Sequence, residues 1–268
     1  MIPSAFEYAR AGSIDEAIEL LGREDAKLLA GGHSLIPLLR LRFARPSLLV
    51  DIGRLDDLRY VREDGDRIAI GALSRHCDLA GDPVLTKGVP LIAHVAGEVG
   101  DPQVRHRGTI GGSVSHGDPA SDLGTILLTL DADFVARGPD GERTIAGAEF
   151  FTGPFETALG QQELLTEMRV PKIDGGIYLK HVRRAQDWAT VGVAAVRVNG
   201  GVNIGLAGMG GTLLRARAVE QALADGASPA DAAARAAEGA EPPTDVSGSA
   251  EYRAHLAQVL TRQALEQL

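Results

Sequence analysis

Apolar residues recur at helical spacing at Ile14, Ala17, Ile18 and Leu21, just after Ser13 and with Glu16 at the capping-box distance from it. This pattern predicts a first helix packed on a small sheet. An apolar run over 27–30 reads as a strand, 34–42 as a helix with Pro37 in its first turn, and 48–51 as a second strand. From Leu58 the period changes to that of hairpins. Segments 60–63 and 67–71 flank Asp64-Gly65-Asp66, and Pro139-Asp140-Gly141 marks a second tight turn. Helical patterns lie over 90–99 and 119–130. After a turn-rich junction at 171–176, strand-like runs occupy 177–182, 190–198 and 203–207. Gly208-Met209-Gly210-Gly211 then reads as a turn into a helix over 212–223 rather than as a phosphate loop. Ser228-Pro229-Ala230-Asp231 offers an N-cap, proline at N1 and an acidic first turn within a helix-rich stretch, 222–239, that a loop interrupts. After Glu241-Pro242-Pro243-Thr244-Asp245, an amphipathic helix over 249–268 closes the chain.

These elements group into a βα-rich segment, 1–53, a mixed segment, 54–172, and a third region, 176–268. The 268 residues can bury a substantial core shared by two or three subdomains. A net charge of −9 argues against a nucleic-acid-binding surface, so any bound phosphate is held locally. The single cysteine, Cys77, excludes an internal disulfide and a cysteine-ligated iron–sulfur cluster within the chain, and fits a reducing, cytoplasmic setting. No apolar run approaches the roughly 20 residues of a membrane span, and the first residues lack a signal pattern.

Two glycine pairs carry the candidate chemistry: Ala30-Gly31-Gly32-His33-Ser34-Leu35 and Thr109-Ile110-Gly111-Gly112-Ser113, each placed where a strand-like run gives way to a helix. Without a Cβ, such loops let an anion approach main-chain N–H groups. One copy alone reads as a tight connection. Two copies, each followed by Ser and His side chains, could grip the two phosphates of a dinucleotide. Asp118 followed by Pro119 reads as the N-cap of the next helix, leaving Asp122 one turn later free to accept from sugar-like hydroxyls. Arg40, Arg42 and Arg45, and likewise Arg105, His106 and Arg107, either offset a diphosphate or have a solvated or interface role. His76 and Cys77 adjoin without further ligands at metal-site spacing, so no metal site is expected.

The ordered set of these two glycine motifs, Arg107-Gly108 before the second, Asp118-Pro119-Ala120-Ser121-Asp122-Leu123, and the stretch from Lys180 to Thr190 resembles the FAD-binding medium subunits of molybdenum hydroxylases of the carbon monoxide dehydrogenase and xanthine dehydrogenase types. The resemblance covers nearly the whole chain. It implies an α+β fold: a two-subdomain FAD-binding region, vanillyl-alcohol-oxidase-like, over 1–172, followed by a smaller C-terminal α/β domain over 176–268. It further implies that Leu29, Ala30, Gly31, Gly32, His33, Ser34 and Leu35, with Thr109, Gly111, Gly112 and Ser113, cradle the FAD diphosphate, and that Asp122 meets the ribityl or nearby hydroxyls. Ser113 stands where relatives often carry Asn, which shortens that donor. Lys180 would place positive charge near the flavin pyrimidine, unless it is an ordinary solvated strand lysine. Trp188 falls where relatives place Tyr or an aliphatic residue; its indole either meets the isoalloxazine or packs in the core.

The implied function is an electron-transfer flavoprotein subunit that takes electrons from an iron–sulfur small subunit, serves a large subunit holding the molybdenum cofactor, and passes electrons to an external acceptor. No residue is assigned as a catalytic acid, base or nucleophile. A self-contained FAD oxidoreductase and a noncatalytic assembly module that has lost FAD are the alternatives.

Overall fold

The computed structural model describes residues 2–173, 175–198 and 200–268, so Asp174 of the expected junction lies outside the described residues. Near the N-terminus three short strands form a parallel sheet in which Leu48–Asp51 is central, flanked by Glu7–Arg10 and Ala26–Leu29. The helix Ile14–Leu21 starts as its sequence predicts: Ser13 Oγ accepts from Glu16 N at 3.1 Å. The Glu16 carboxylate reaches one residue further back than in a capping box and accepts from Gly12 N at 2.7 Å. Ala17, Ile18 and Leu21 bury against Leu48 and Val50 and against Leu73 and Leu164 of the next unit. Strand Glu7–Arg10 was not expected; it is a mostly exposed edge strand without an alternating apolar face.

The second unit is a five-stranded antiparallel sheet in the order Val61–Asp64, Arg67–Gly71, Leu164–Pro171, Asp133–Gly138, Gly141–Ala146. Both expected hairpins are present, turning at Gly65-Asp66 and Pro139-Asp140. Helices Pro90–Glu98, Ile110–Ser115 and Asp122–Thr129 belong to the same unit, whose core joins Ile68, Ile70, Ile92, Ile126 and Met168 to a stacked Phe134–Phe150 pair with centroids 3.9 Å apart. The second glycine pair lies inside helix Ile110–Ser115, not before the next helix. The N-cap reading of Asp118 is also corrected. Its Oδ1 accepts from Ala120 N at 2.8 Å in a local turn, while Ser121 caps the helix and Asp122 is that helix's first residue.

The C-terminal unit pairs Gly176–His181, Val191–Val198, Gly201–Ala207 and Leu214–Arg215 in one antiparallel sheet. Its central strand Val191–Val198 is apolar at nearly every position because it is covered on both sides. Val191, Val193 and Ala195 face Ala257 and Ala264 of helix Ala250–Gln267, while Ala194, Val196 and Val198 join the core of the second unit. The third domain is thereby docked through its sheet. Gly208 to Gly211 leads into the short strand Leu214–Arg215, so the following helix begins only at Arg217 and runs to Ala224.

One buried charge ties the second sheet together. Glu167 is 3% exposed and accepts from Tyr60 Oη at 2.6 Å, Arg169 Nε at 2.5 Å and Arg62 at 3.0 Å. Burial would raise its pKa, but the hydrogen bonds from Tyr60 and Arg169 outweigh burial and hold the carboxyl below its ordinary 4.5. Glu167→Ala removes the acceptor of Tyr60 and of two arginines that solvent can still reach, and is expected to cost about 1–3 kcal/mol in chemical denaturation. Because the folded-state pKa is the lower one, the stabilisation is full above the unfolded value and is lost as pH falls through the folded value. In urea titrations at descending pH, the wild type's margin over Glu167→Gln should therefore hold near neutrality and shrink below about 4.5.

Candidate functional site

Strand Ala26–Leu29 delivers the chain to the first glycine loop, which ends where helix Leu35–Leu41 begins. Among the described residues, the main-chain N–H groups of Gly31, Gly32, His33 and Ser34 donate to no acceptor, and the Ser34 hydroxyl makes no cap bond. Gly32 holds φ +77°, a left-handed conformation natural to glycine, and a Cβ there would lie 2.7 Å from Ile36 Cδ1. A Cβ on Gly31 would run into the carbonyl oxygen of Arg107 and lie 2.9 Å from Gly108 Cα. The two loops therefore touch backbone to backbone.

The second loop uses its glycines differently from the amide-cradle expectation. Gly111 N donates to Ala72 O at 2.9 Å, Gly112 N to Thr109 Oγ1 at 3.2 Å and Ser113 N to Thr109 O at 2.9 Å, so these amides are already engaged. Gly111 is there for packing: a Cβ would lie 2.5 Å from Ala72 Cβ and 2.6 Å from its carbonyl oxygen. Gly112 is exposed, but a Cβ there would lie 2.8 Å from Thr109 Oγ1, the hydroxyl that accepts from its own N–H; the Ser113 side chain is free to act as a donor.

Two cavities meet at these loops. One, of about 310 Å³, is lined by His33, His76, Ser113, Asp122, Gln186 and Trp188 among others. The second, of about 660 Å³, has a more apolar wall with Leu28, Leu35, Leu38, Phe155 and Leu165. Gly31, Gly32, Ser34 and Gly112 line both, so the free amides stand at the waist of a two-chambered trough. Ala30 and Gly111 also line the larger chamber and Thr109 the smaller; Leu29 lines neither. The chambers suit an elongated dinucleotide with its diphosphate at the waist, and the donor set, four uncommitted N–H groups plus hydroxyls, suits phosphate oxygens.

Asp122 and Lys180, chosen separately in the sequence, are bonded to each other. Lys180 Nζ lies 2.8 Å from Asp122 Oδ2, with side-chain exposures of 15% and 11%, and Tyr178 Oη donates to Oδ1 at 2.5 Å. Tyr178 is driven far above the ordinary phenol range first by burial and then by the Asp122 charge, so it stays a neutral donor. Lys180 is thus not a solvated strand lysine, and neither Lys180 nor Tyr178 lines the two chambers. Trp188 is 71% exposed, which removes the core-packing alternative, and its side chain borders the smaller chamber. Its loop is anchored by buried Arg253, which donates to Thr190 O, to Gly208 O at 3.2 Å and to both Asp245 carboxylate oxygens at 2.8 Å.

The basic residues beside the glycine motifs turn mostly to main-chain oxygens. Arg42 donates to Ile2 O, Arg45 to Arg42 O, and Arg105 to Val99 O and Gly100 O; Arg40, Arg42 and Arg45 line neither chamber. Sequence reasoning missed His76, Gln186 and Asp187 as walls of the smaller chamber. His76 is 3% exposed with Nδ1 unpartnered, and burial, with smaller contributions from His33 and Arg105, lowers its pKa to about 4, so the imidazole is neutral. Only its nearness to the second motif in space, where a Cβ on Gly108 would lie 2.8 Å from its Cδ2, reveals this placement.

With this geometry in hand, residues 4–173 match the family described as the FAD binding domain in molybdopterin dehydrogenase, and residues 177–268 the CO dehydrogenase flavoprotein C-terminal domain. The carbon monoxide dehydrogenase medium chain of Hydrogenophaga pseudoflava is 40% identical over 279 residues, covering 99% of this chain and 97% of that one. The glyceraldehyde dehydrogenase medium chain of Sulfolobus acidocaldarius is 37% identical over 280 residues and 100% of both chains. Among solved structures, carbon monoxide dehydrogenase from H. pseudoflava superposes with a TM-score of 0.95 at 42% identity over 99% of this chain and 98% of that one. Quinoline 2-oxidoreductase from Pseudomonas putida 86 gives a TM-score of 0.93 at 30% identity over 100% and 98%. The chain is therefore an oxidoreductase subunit whose cofactor is FAD, and it belongs to the family of FAD-binding medium subunits of molybdenum-hydroxylase-type dehydrogenases.

Proposed function

We propose that this subunit is an electron relay, drawing electrons from iron–sulfur clusters on a small partner subunit, serving a large subunit that holds the molybdenum cofactor, and delivering electrons to an external acceptor. The observation that carries this reading is the set of uncommitted N–H groups at Gly31, Gly32, His33 and Ser34, placed at the waist between two chambers. With one cysteine, the chain cannot supply a cysteine-ligated cluster itself, so the clusters belong to another chain. In this reading 1–172 is the FAD-binding region, with subdomains 1–53 and 54–172, and 176–268 is the third domain.

Bound FAD supplies the redox chemistry, and the residues of this chain hold and screen it. The first loop donates its main-chain N–H groups to the diphosphate, while Ser34, Thr109 and Ser113 offer hydroxyls from either side of the waist. Gly111 keeps the second motif pressed against Ala72, and Gly112 leaves room for the Thr109 hydroxyl that caps the helix. The larger chamber, with its leucines, would hold the adenosine half, and the smaller, with His76, Asp122 and Trp188, the flavin half. Asp122 presents its carboxylate to ribityl hydroxyls while Tyr178 and Lys180 hold it in place; Lys180 contributes positive charge behind it. Trp188 lies at the exposed rim of the smaller chamber, where its indole would meet the flavin ring and border the route to the acceptor. His76 offers a neutral imidazole inside the flavin chamber.

Two outcomes test the assignment. After incubation with FAD and desalting, the purified chain should keep close to one flavin per protein, with flavin absorption bands. Gly32→Val, strained at φ +77° and crowded by Ile36, should retain at least about tenfold less while its far-ultraviolet circular dichroism is unchanged; Ser34→Ala should lose roughly fivefold in affinity, the value of about one hydrogen bond. A folded chain that keeps no flavin overturns the relay reading, and reduction of the isolated chain's flavin by a small organic substrate favours a self-contained oxidoreductase. For His76, the imidazole resonances should stay at their neutral positions from pH 8 down to about 5 and titrate only near about 4. Since its folded pKa lies below the ordinary 6.5, the unfolded chain binds the proton first, and the His76 contribution to stability is lost as pH falls between those values.

A further inference from the structure

The strands of the parallel sheet end at Arg10, Leu29 and Asp51, and at these C-terminal ends lies a third cavity of about 610 Å³. Its walls share only Gly31 and Thr109 with the smaller chamber and only Ala30, Gly31 and Leu73 with the larger one. C-terminal strand ends of parallel sheets are where ligands settle in α/β folds.

The chemistry of this cavity departs from that of the whole chain. Five arginines line it, Arg10, Arg54, Arg59, Arg75 and Arg107, against two carboxylates, Asp51 and Asp56, in a protein whose net charge is −9. The carboxylates are already committed. Asp51 accepts from Tyr8 Oη at 2.5 Å and from Gly53 N at 2.8 Å, with Arg10 Nε 3.8 Å away. Asp56 pairs with Arg59 at 3.0 Å, and Arg59 also donates to Gly53 O. Among the described residues, the guanidinium groups of Arg54, Arg75 and Arg107 have no hydrogen-bond or ion-pair partner, and the buried Nε of Arg59 is unpartnered as well. Gathering like charges around one hollow costs energy unless a counter-charge fills it, and guanidinium forks match phosphate oxygens in pairs.

We propose that this cavity is a binding site for a small polyanion bearing a phosphate or diphosphate group, distinct from the trough that takes FAD. Arg54, Arg75 and Arg107 are its principal donors, each contributing a charge-assisted pair. The ligand is either a free inorganic anion or the phosphate portion of a nucleotide.

Calorimetric titration of the full-length chain tests this, with excess FAD present throughout so that the diphosphate waist is occupied. Inorganic pyrophosphate should bind saturably with a stoichiometry near one, and added salt should weaken it. The Arg54→Ala/Arg75→Ala double variant, with unchanged flavin retention and thermal melting, should bind at least about tenfold more weakly, as expected for lost charge-assisted bonds. Should the double variant fold poorly, Arg54→Glu on its exposed turn gives the same reading. A parallel titration with ADP separates the sources: tighter binding than pyrophosphate assigns a nucleotide, and equal or weaker binding assigns a free anion. Absence of saturable binding by both probes, or binding that both variants leave intact, overturns the proposal. Flavin retention is read separately, so failure of this site and failure of the FAD assignment are distinguished.

Discussion

The contact on which the rest of the site depends is the backbone approach of Gly31 to Arg107 and Gly108. No side chain fits at Gly31, because the space a Cβ needs is filled by the Arg107 carbonyl. This contact joins the parallel sheet of the first unit to the helical layer of the second. It also turns the following amides away from any internal acceptor. A buried main-chain donor without a partner is costly, so a loop with four uncommitted N–H groups persists at a surface where solvent or a ligand completes them. Gly111 performs the complementary task. Pressed on Ala72, it holds the second motif close enough to form the opposite wall. The two glycine pairs look alike in sequence, yet one liberates donors and the other removes bulk.

The third unit completes the site from the other side, and its position rests on a shielded charge. Asp122, at the first turn of its helix, has carboxylate oxygens bound to Tyr178 and Lys180, both carried by the first strand of the C-terminal sheet. A carboxylate this far from water is tolerable because an ammonium and a phenol satisfy it together. The apolar seam beside it, where Ala194 and Val196 join the core of the second unit, supplies the non-directional part of the docking. Arg253 then fixes both ends of the problem by binding Thr190 O and Gly208 O, which lie at the bases of the Trp188 loop and of the turn that follows strand Gly201–Ala207. Gly208 N in turn donates to Pro119 O at 2.8 Å, close to Asp122 in the chain. Trp188 can therefore be exposed and still be held in place.

What the sequence makes legible is what is decided locally. Ser13 and Ser228 are read correctly as caps because each capping bond spans three residues, and both hairpins turn at the dipeptides that their residues favour. The error at Asp118 has the same origin. Asp, Pro and Ser stand within four positions, and local grammar could not decide that Asp118 spends its carboxylate on Ala120 N while Ser121 opens the helix. The family resemblance placed the glycine motifs, and it named Asp122 and Lys180 without showing that they pair across 58 positions of sequence. The arginine-lined cavity is illegible for the same reason: Arg10, Arg54 and Arg107 are brought together only by the ends of a parallel sheet and the loop contact beside it.

A site assembled from three layers links ligand binding to the packing of those layers against one another. The first unit gives the amides, the second the hydroxyls and Asp122, and the third Trp188 together with the clamp on Asp122. Each layer alone presents an incomplete surface, so a ligand that spans all of them binds the assembled arrangement and stabilises it in proportion to the logarithm of its occupancy ratio. The direction of that coupling explains the economy of side-chain chemistry here. The Ser34 hydroxyl makes no cap bond and stands at the waist of the trough, while the few strong internal bonds, at Asp122 and Arg253, lie at the joints between the layers.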